Sequence, residues 1–196
     1  IIVADGGSTD RTGSIATAAG AMLVAAPRGR GSQIAAGVAA VTTPWILVLH
    51  ADTRPGPGWR AAAEAFMADP ANARRAAYFR FALDDPSDQA RRLERVVGWR
   101  CRNLGLPYGD QGLLVARDFL AELGGFSPVP IMEDVDLVRR IGRRRLVGLE
   151  AAFVTSAARW REGGWWRRSG RNLACLALWF AGVAPARIAR LYAARR

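Results

Sequence analysis

Short apolar runs alternate along this chain with stretches in which small and apolar residues recur at helical spacing. Ile1-Ile2-Val3-Ala4 reads as a strand. Ser8, Thr9 and Asp10 offer helix N-caps ahead of residues 12–19, and Gly20 is a natural stop. A second strand is predicted over 21–26. The Pro27-Arg28-Gly29-Arg30-Gly31-Ser32 stretch is a cationic turn leading into a small-residue helix at 33–41, and Thr43-Pro44 hands the chain to a third strand at 45–50. Strand, helix, strand, helix and strand joined by short connections predict an α/β fold with a mostly parallel sheet and right-handed crossovers.

Pro55-Gly56-Pro57-Gly58 breaks the chain before a helix at 59–67. Tyr78, Phe79 and Phe81 favour a strand over 76–83. An amphipathic, Arg-rich helix is predicted over 89–104, a short strand over 112–115, a helix over 118–123 closed by Gly124-Gly125, another helix over 135–143 and a last strand-like run over 146–154. From Trp165 the character shifts to Arg, Trp and continuous apolar residues. The expected division is a nucleotide-binding, Rossmann-like domain over 1–158 and a basic helical, Arg/Trp-rich extension over 159–196. Since Ile1 already lies in a strand, the chain is expected to begin inside a domain.

A hydrophobic fraction of 51% over 196 residues supports a core without disulfide or metal staples. Cys101 and Cys175 lack paired-thiol spacing, which fits a reducing cytoplasm. The charge is uneven. All 28 basic residues are Arg, and the formal net of +11 divides into −1 over residues 1–138 and +12 over 139–196. That asymmetry points to an anionic partner for the last third: a membrane surface, a phosphate-bearing substrate or nucleic acid. Residues 173–184 are apolar all round but fall short of the roughly 20 residues a spanning helix needs. With Trp160, Trp165, Trp166 and Trp179 nearby, the tail suits peripheral attachment to the inner face of a membrane, or packing within the protein or a homodimer.

Three acidic stations carry the candidate chemistry. Asp5, in Asp5-Gly6-Gly7-Ser8-Thr9-Asp10, and Asp52, in His50-Ala51-Asp52-Thr53, follow predicted strands, where parallel sheets place ligand crevices. Asp5 could accept hydrogen bonds from a nucleobase or ribose while Gly6 lets the ligand approach; a capped turn is the plainer alternative. His50 and Asp52, two residues apart on an extended segment, would point to one side and could hold Mn²⁺ or Mg²⁺, with Asp52 the better ligand. Glu133, Asp134 and Asp136 open a helix, where the dipole favours acids in any case. Three carboxylates within four residues also repel one another, which makes Asp134 a candidate general base. Tyr108-Gly109-Asp110-Gln111-Gly112 has the groups for sugar hydroxyls, Arg28 and Arg30 could meet a diphosphate, and Arg159-Trp160 pairs a guanidinium with a flat apolar face.

Taken in order, Asp5-Gly6-Gly7-Ser8-Thr9-Asp10, Gly29-Arg30, Leu49-His50-Ala51-Asp52-Thr53, Gly109-Asp110-Gln111-Gly112, Met132-Glu133-Asp134-Val135-Asp136 and Arg159-Trp160 resemble the motifs of family-two glycosyltransferases of the GT-A fold. The resemblance is nearest to a bacterial subgroup termed rSAM/selenodomain-associated transferases. It implies a nucleotide-sugar donor, a hydroxyl acceptor, for which the basic Trp-bearing tail suits a lipid-linked one, and inverting displacement at the anomeric carbon. It implies a divalent cation at Asp52 with His50, catalysis by Asp134 with Glu133, and donor contacts from Asp5, Gly6, Ser8, Arg30, Asp52, Asp110, Gln111, Arg159 and Trp160. The sequence departs from the family in two residues and one segment: His50 replaces the first Asp of Asp-x-Asp, Ala35 stands where many relatives carry Asn, and the family's opening strand and nucleotide-binding loop do not precede Ile1.

Two other readings compete. A nucleotidyltransferase uses a similar sheet and a metal-bound Asp. A non-catalytic basic module would bind a membrane surface through residues 139–196. No recognised nucleic-acid motif is present, and no nucleic-acid partner is expected.

Overall fold

The structure, a computed structural model, describes residues 1–193; the last three residues of the expected basic tail lie outside the described residues. Contacts group the chain into two compact units, one of Ile1–Thr43, Gly124–Glu133 and the described residues from Leu173 onward, the other of Pro44–Leu123 and Asp134–Asn172.

In the first unit, β1 (Ile2–Asp5) and β2 (Met22–Ala25) pair in parallel, in register from Ile2 opposite Met22 to Asp5 opposite Ala25, with α1 (Thr12–Ala18) as the crossover. The next helix, α2 (Arg30–Ala39), begins three residues earlier than the sequence pattern suggests. The reason is Gly31: any Cβ there would strike the carbonyl oxygen of Ser127 and the backbone of Val129, whose carbonyl accepts the Gly31 amide at 3.1 Å. The 127–129 segment thus lies against the first turn of α2, where only glycine fits. A separate apolar cluster joins Ile131, Cys175 and the fully buried Ile188 with Met132, Trp179 and Tyr192.

The second unit holds a five-stranded sheet made from β3 (Trp45–Val48), β4 (Thr53–Pro55), β5 (Ala76–Leu83), β6 (Leu113–Ala116) and β7 (Leu146–Thr155), in the order β3-β6-β5-β7-β4. The sheet is mixed. β5 runs parallel to β7, whereas β3–β6, β5–β6 and β4–β7 are antiparallel, so parallel pairing is confined to β1–β2 and β5–β7. Apolar periodicity announces strands but not their direction, which explains the difference from the expected mostly parallel sheet. β5 is buried along nearly its whole length because it has neighbours on both edges and helices over its faces. Phe79 of β5 stacks on Phe153 of β7 with ring centres 3.9 Å apart. The short β4 ends at Pro55 on the sheet's edge, where a missing N–H costs no ladder bond.

Helices α3 (Trp59–Ala68), α4 (Asp88–Leu104), α5 (Arg117–Glu122), α6 (Glu133–Ile141) and α7 (Ala158–Gly163) surround the sheet segments. Ser87 caps α4 by accepting the Ala90 amide at 3.3 Å, and Gly105 ends it in the left-handed conformation. The tail forms α8 (Trp165–Phe180) and α9 (Pro185–Ala193), with Pro185 at the first helical position. Among the described residues no helix is long and apolar enough to cross a membrane.

Candidate functional site

At the end of β1, Asp5 turns its carboxylate back over its own loop. Oδ2 accepts the amides of Gly7 at 3.1 Å and Ser8 at 2.9 Å, and Oδ1 accepts the Ser8 hydroxyl at 2.5 Å. These bonds, the Ser8 hydroxyl first among them, hold the Asp5 carboxyl below the usual carboxylate range. Gln33, which the sequence reading passed over, fastens this loop to the next: its Nε2 donates to the Ala4 carbonyl at 3.1 Å and its Oε1 accepts the Gly29 amide at 3.4 Å. A Cβ on Gly6 would lie 2.9 Å from the end of the Gln33 side chain, so a larger residue there would push the Gln33 amide aside. Arg30 is exposed at the first position of α2.

The His50-Ala51-Asp52 segment is not a continuation of β3. The strand ends at Val48 and the chain turns, with the Thr53 amide on the His50 carbonyl at 3.1 Å. The two-residue alternation that was to align His50 with Asp52 therefore does not operate. His50 lays its ring against Gly109, so closely that a Cβ there would collide with Nε2. Asp52 lies near the surface, its Oδ2 3.7 Å from Nη1 of Arg159.

Asp134 is fixed by two backbone donors: Gly109 N–H reaches Oδ2 at 2.9 Å and Val135 N–H reaches Oδ1 at 2.7 Å. Gly109 belongs to the 108–112 loop, and Gln111 is the internal brace of that loop. Gln111 is buried; its Nε2 donates to Phe79 O at 3.1 Å and its Oε1 accepts from Tyr108 N at 3.2 Å, Cys101 Sγ at 3.1 Å and Arg100 Nη2 at 3.3 Å. Asp110 has an Oδ1 sealed from solvent with no hydrogen-bond partner. Burial pushes its carboxyl above the usual range; Arg100 and His50 counteract this, and the charges of Asp134 and Asp52 add to it. His50, Asp52, Asp110 and Asp134 thus share one electrostatic neighbourhood.

The acidic trio of α6 does not act as a cluster. Successive helical residues are turned by about 100°. Glu133 is fully buried and offers no surface to an acceptor, Asp134 meets Gly109, and Asp136 pairs with Arg140 at 2.7 Å. Trp160, expected to present a flat face to a sugar, is buried in the core with Phe81, and the Arg168 guanidinium lies 4.7 Å from its ring centre. Arg100 is the other residue that the sequence reading missed. It sits on the flank of α4, and no local motif distinguishes it from the other arginines of that helix.

Among the described residues no group of three or more His, Cys, Asp or Glu side chains is gathered as a metal cage. The donors present still suit a hard cation bound mainly through phosphate: Asp52 supplies an accessible carboxylate near enough to Asp110 for their charges to interact, and Mg²⁺-type sites commonly use one or two carboxylates plus substrate oxygens.

Comparison with known proteins bears on the fold and the family. The structure of glucosyl-3-phosphoglycerate synthase from Mycobacterium tuberculosis, in complex with Mn²⁺, uridine diphosphate and glucosyl-3-phosphoglycerate, superposes with a TM-score of 0.54 at 21% identity, over 77% of this chain and 58% of that one. Mannosyl-3-phosphoglycerate synthase from Rubrobacter xylanophilus gives 0.53 at 15% identity, over 80% and 55%. This chain therefore spans somewhat over half the length of each, and at such identities the likeness establishes a shared α/β, GT-A-like fold. No curated protein matches. Glycosyl transferase family 2 matches residues 1–118, more than half of the chain, and the protein belongs to that family.

Proposed function

We propose that this protein transfers a sugar from a nucleotide-diphosphate donor to a hydroxyl acceptor with inversion, Asp134 acting as general base and Asp52 holding Mn²⁺ or Mg²⁺. The observation that carries this reading is the fixing of Asp134 by the Gly109 amide, in the same electrostatic neighbourhood as Asp52, Asp110 and His50. A carboxylate has about four lone-pair sites, so the amides of Gly109 and Val135 leave acceptor capacity for an incoming hydroxyl. The acceptor oxygen bonds to the anomeric carbon, its proton passes to Asp134, and the bond to the diphosphate breaks with its electron pair leaving on phosphate. A cation at Asp52 would offset charge gathering on that leaving group. Within the second unit Arg159, beside Asp52, is a proposed diphosphate contact; within the first unit Arg30, on the first turn of α2, is a proposed phosphate contact and Asp5, Gly6 and Ser8 are the proposed nucleoside loop. Gln111 braces the loop that carries the Gly109 amide.

The Mn²⁺ and nucleotide named for the mycobacterial synthase favour the same donor class here. A thermal-shift screen of nucleoside diphosphates and their sugars, with and without Mn²⁺, on the full-length protein identifies the donor. Asp134→Asn then keeps donor binding while turnover falls by roughly 10²–10⁴. Collapse of donor affinity with turnover little changed would make Asp134 a binding residue and overturn the mechanism.

A second reading concerns where the acceptor resides. Trp166, Leu173 and Phe180, seven residues apart on α8, are 70%, 66% and 48% exposed and fall on one side of that helix. With the +12 charge of residues 139–196, this apolar line favours an anionic membrane surface and a lipid-linked acceptor.

A further inference from the structure

Arg100 gathers a whole loop onto one guanidinium. Its Nε donates to Leu106 O at 2.8 Å, at the loop's entrance, and Nη2 donates to Gln111 Oε1 at 3.3 Å, at its exit. Between them the Tyr108 ring lies under the guanidinium, 3.5 Å from ring centre to Cζ. Arg100 is also the principal positive charge opposing Asp110, whose Oδ1 is sealed from solvent. The loop is bounded by glycines of positive φ, Gly105 at 62° and Gly112 at 64°. Its middle is a 3₁₀ turn over Gly109–Gln111 with its own bonds, Gln111 N to Tyr108 O at 3.0 Å and Gly112 N to Gly109 O at 3.2 Å, and the Arg100 contacts fix where that turn sits. That middle carries the Gly109 N–H that reaches Asp134 Oδ2 at 2.9 Å.

We infer that Arg100 is a positioning residue for Asp134: it touches no substrate, but through Leu106, Tyr108 and Gln111 it fixes the Gly109 amide that orients the carboxylate. The inference rests on the proposed role of Asp134 for its catalytic consequence, though not for its structural content. Planarity and a fork of donors are both needed, since one face stacks on Tyr108 while two edges donate. Lysine, a point charge on a flexible stem, supplies neither.

Amide hydrogen exchange on the full-length protein without ligand tests the structural step. In Arg100→Lys and in Tyr108→Leu the Gly109 amide exchanges faster by about tenfold or more while amides of β5 and β6 keep their protection; Tyr108→Phe, which retains the ring, matches the parent. In Asp134→Ala the Gly109 amide has already lost its acceptor, and adding Arg100→Lys changes its exchange little further. The catalytic step is read as Mn²⁺-dependent UDP release from UDP-glucose. Arg100→Lys lowers kcat by about 10²-fold, as a small misplacement does, with KM for UDP-glucose within about twofold of the parent. Unchanged Gly109 exchange in Arg100→Lys overturns the inference, as does equal loss of protection throughout β5 and β6, which would make Arg100 a residue of general stability. Asp134→Asn with full turnover, beside a Gly109 amide that responds to Arg100, would instead sink the base assignment alone.

Discussion

Nη1 of Arg159 stands 3.7 Å from Oδ2 of Asp52, and both side chains are about half exposed. A pair so open to water contributes at most about 1 kcal/mol, so a divalent cation or a diphosphate can separate the two groups at little cost. The pair brings one proposed cation ligand and one proposed phosphate ligand together before either partner arrives.

Asp52→Ala is therefore expected to abolish the gain in UDP affinity that Mn²⁺ confers on the full-length protein, as measured by calorimetry in Mn²⁺ and in EDTA. Arg159→Ala should weaken UDP binding in both conditions while thermal stability changes by less than about 0.5 kcal/mol, as for other exposed substitutions. A Mn²⁺ enhancement that survives in Asp52→Ala would remove Asp52 from the cation site.

Asp110 predicts a pH dependence with a definite sign. Burial raises its folded-state pKa above the unfolded value of 3.8, despite Arg100 and His50. Well below 3.8 both states hold the proton and burial has no effect through this group. As pH climbs, the unfolded chain ionises first, so stability falls until the folded pKa is passed and then levels out. Asp110→Asn should remove that loss: in EDTA its melting temperature is expected to exceed the parent's by a margin that widens from about pH 4 to about pH 7. A margin that narrows instead would mean that Arg100 outweighs burial.

The exposed line on α8 predicts membrane attachment. The full-length protein should sediment with anionic vesicles at low salt, less so as salt rises, and not with neutral vesicles. Replacing Trp166, Leu173 and Phe180 together by Ser should abolish sedimentation while the fold persists, since all three side chains are substantially exposed. Retention in the supernatant at low salt would assign this face to another role.

The limits of sequence reading follow from the same geometry. β5 is legible to the residue because a central strand is apolar on both faces. β4 is not, because three residues ending in proline carry no periodicity and pair only through the distant β7. The three acids of α6 lie within four residues of the sequence, yet helical rotation sends them to three environments, and Asp134 meets the 108–112 loop. Alignment of His50 with Asp52 needs an extended segment, and a turn stands there instead. Gln33 and Arg100 earn their places through carbonyls and amides of loops folded back on them, partners without any residue-type signature.

Pairing of β5 with β7 joins Ala76 to Leu146 and Leu83 to Thr155, about seventy residues apart in the chain. During synthesis, β5 therefore emerges long before its parallel partner, and until β7 follows, Phe79 lacks the ring on which it stacks. Closing so distant a pair is slow, and an apolar strand with a bare edge, or with two until β6 is made, invites association with other chains. While the ribosome translates α4 through α6, β5 is therefore an apolar strand still waiting for its parallel partner.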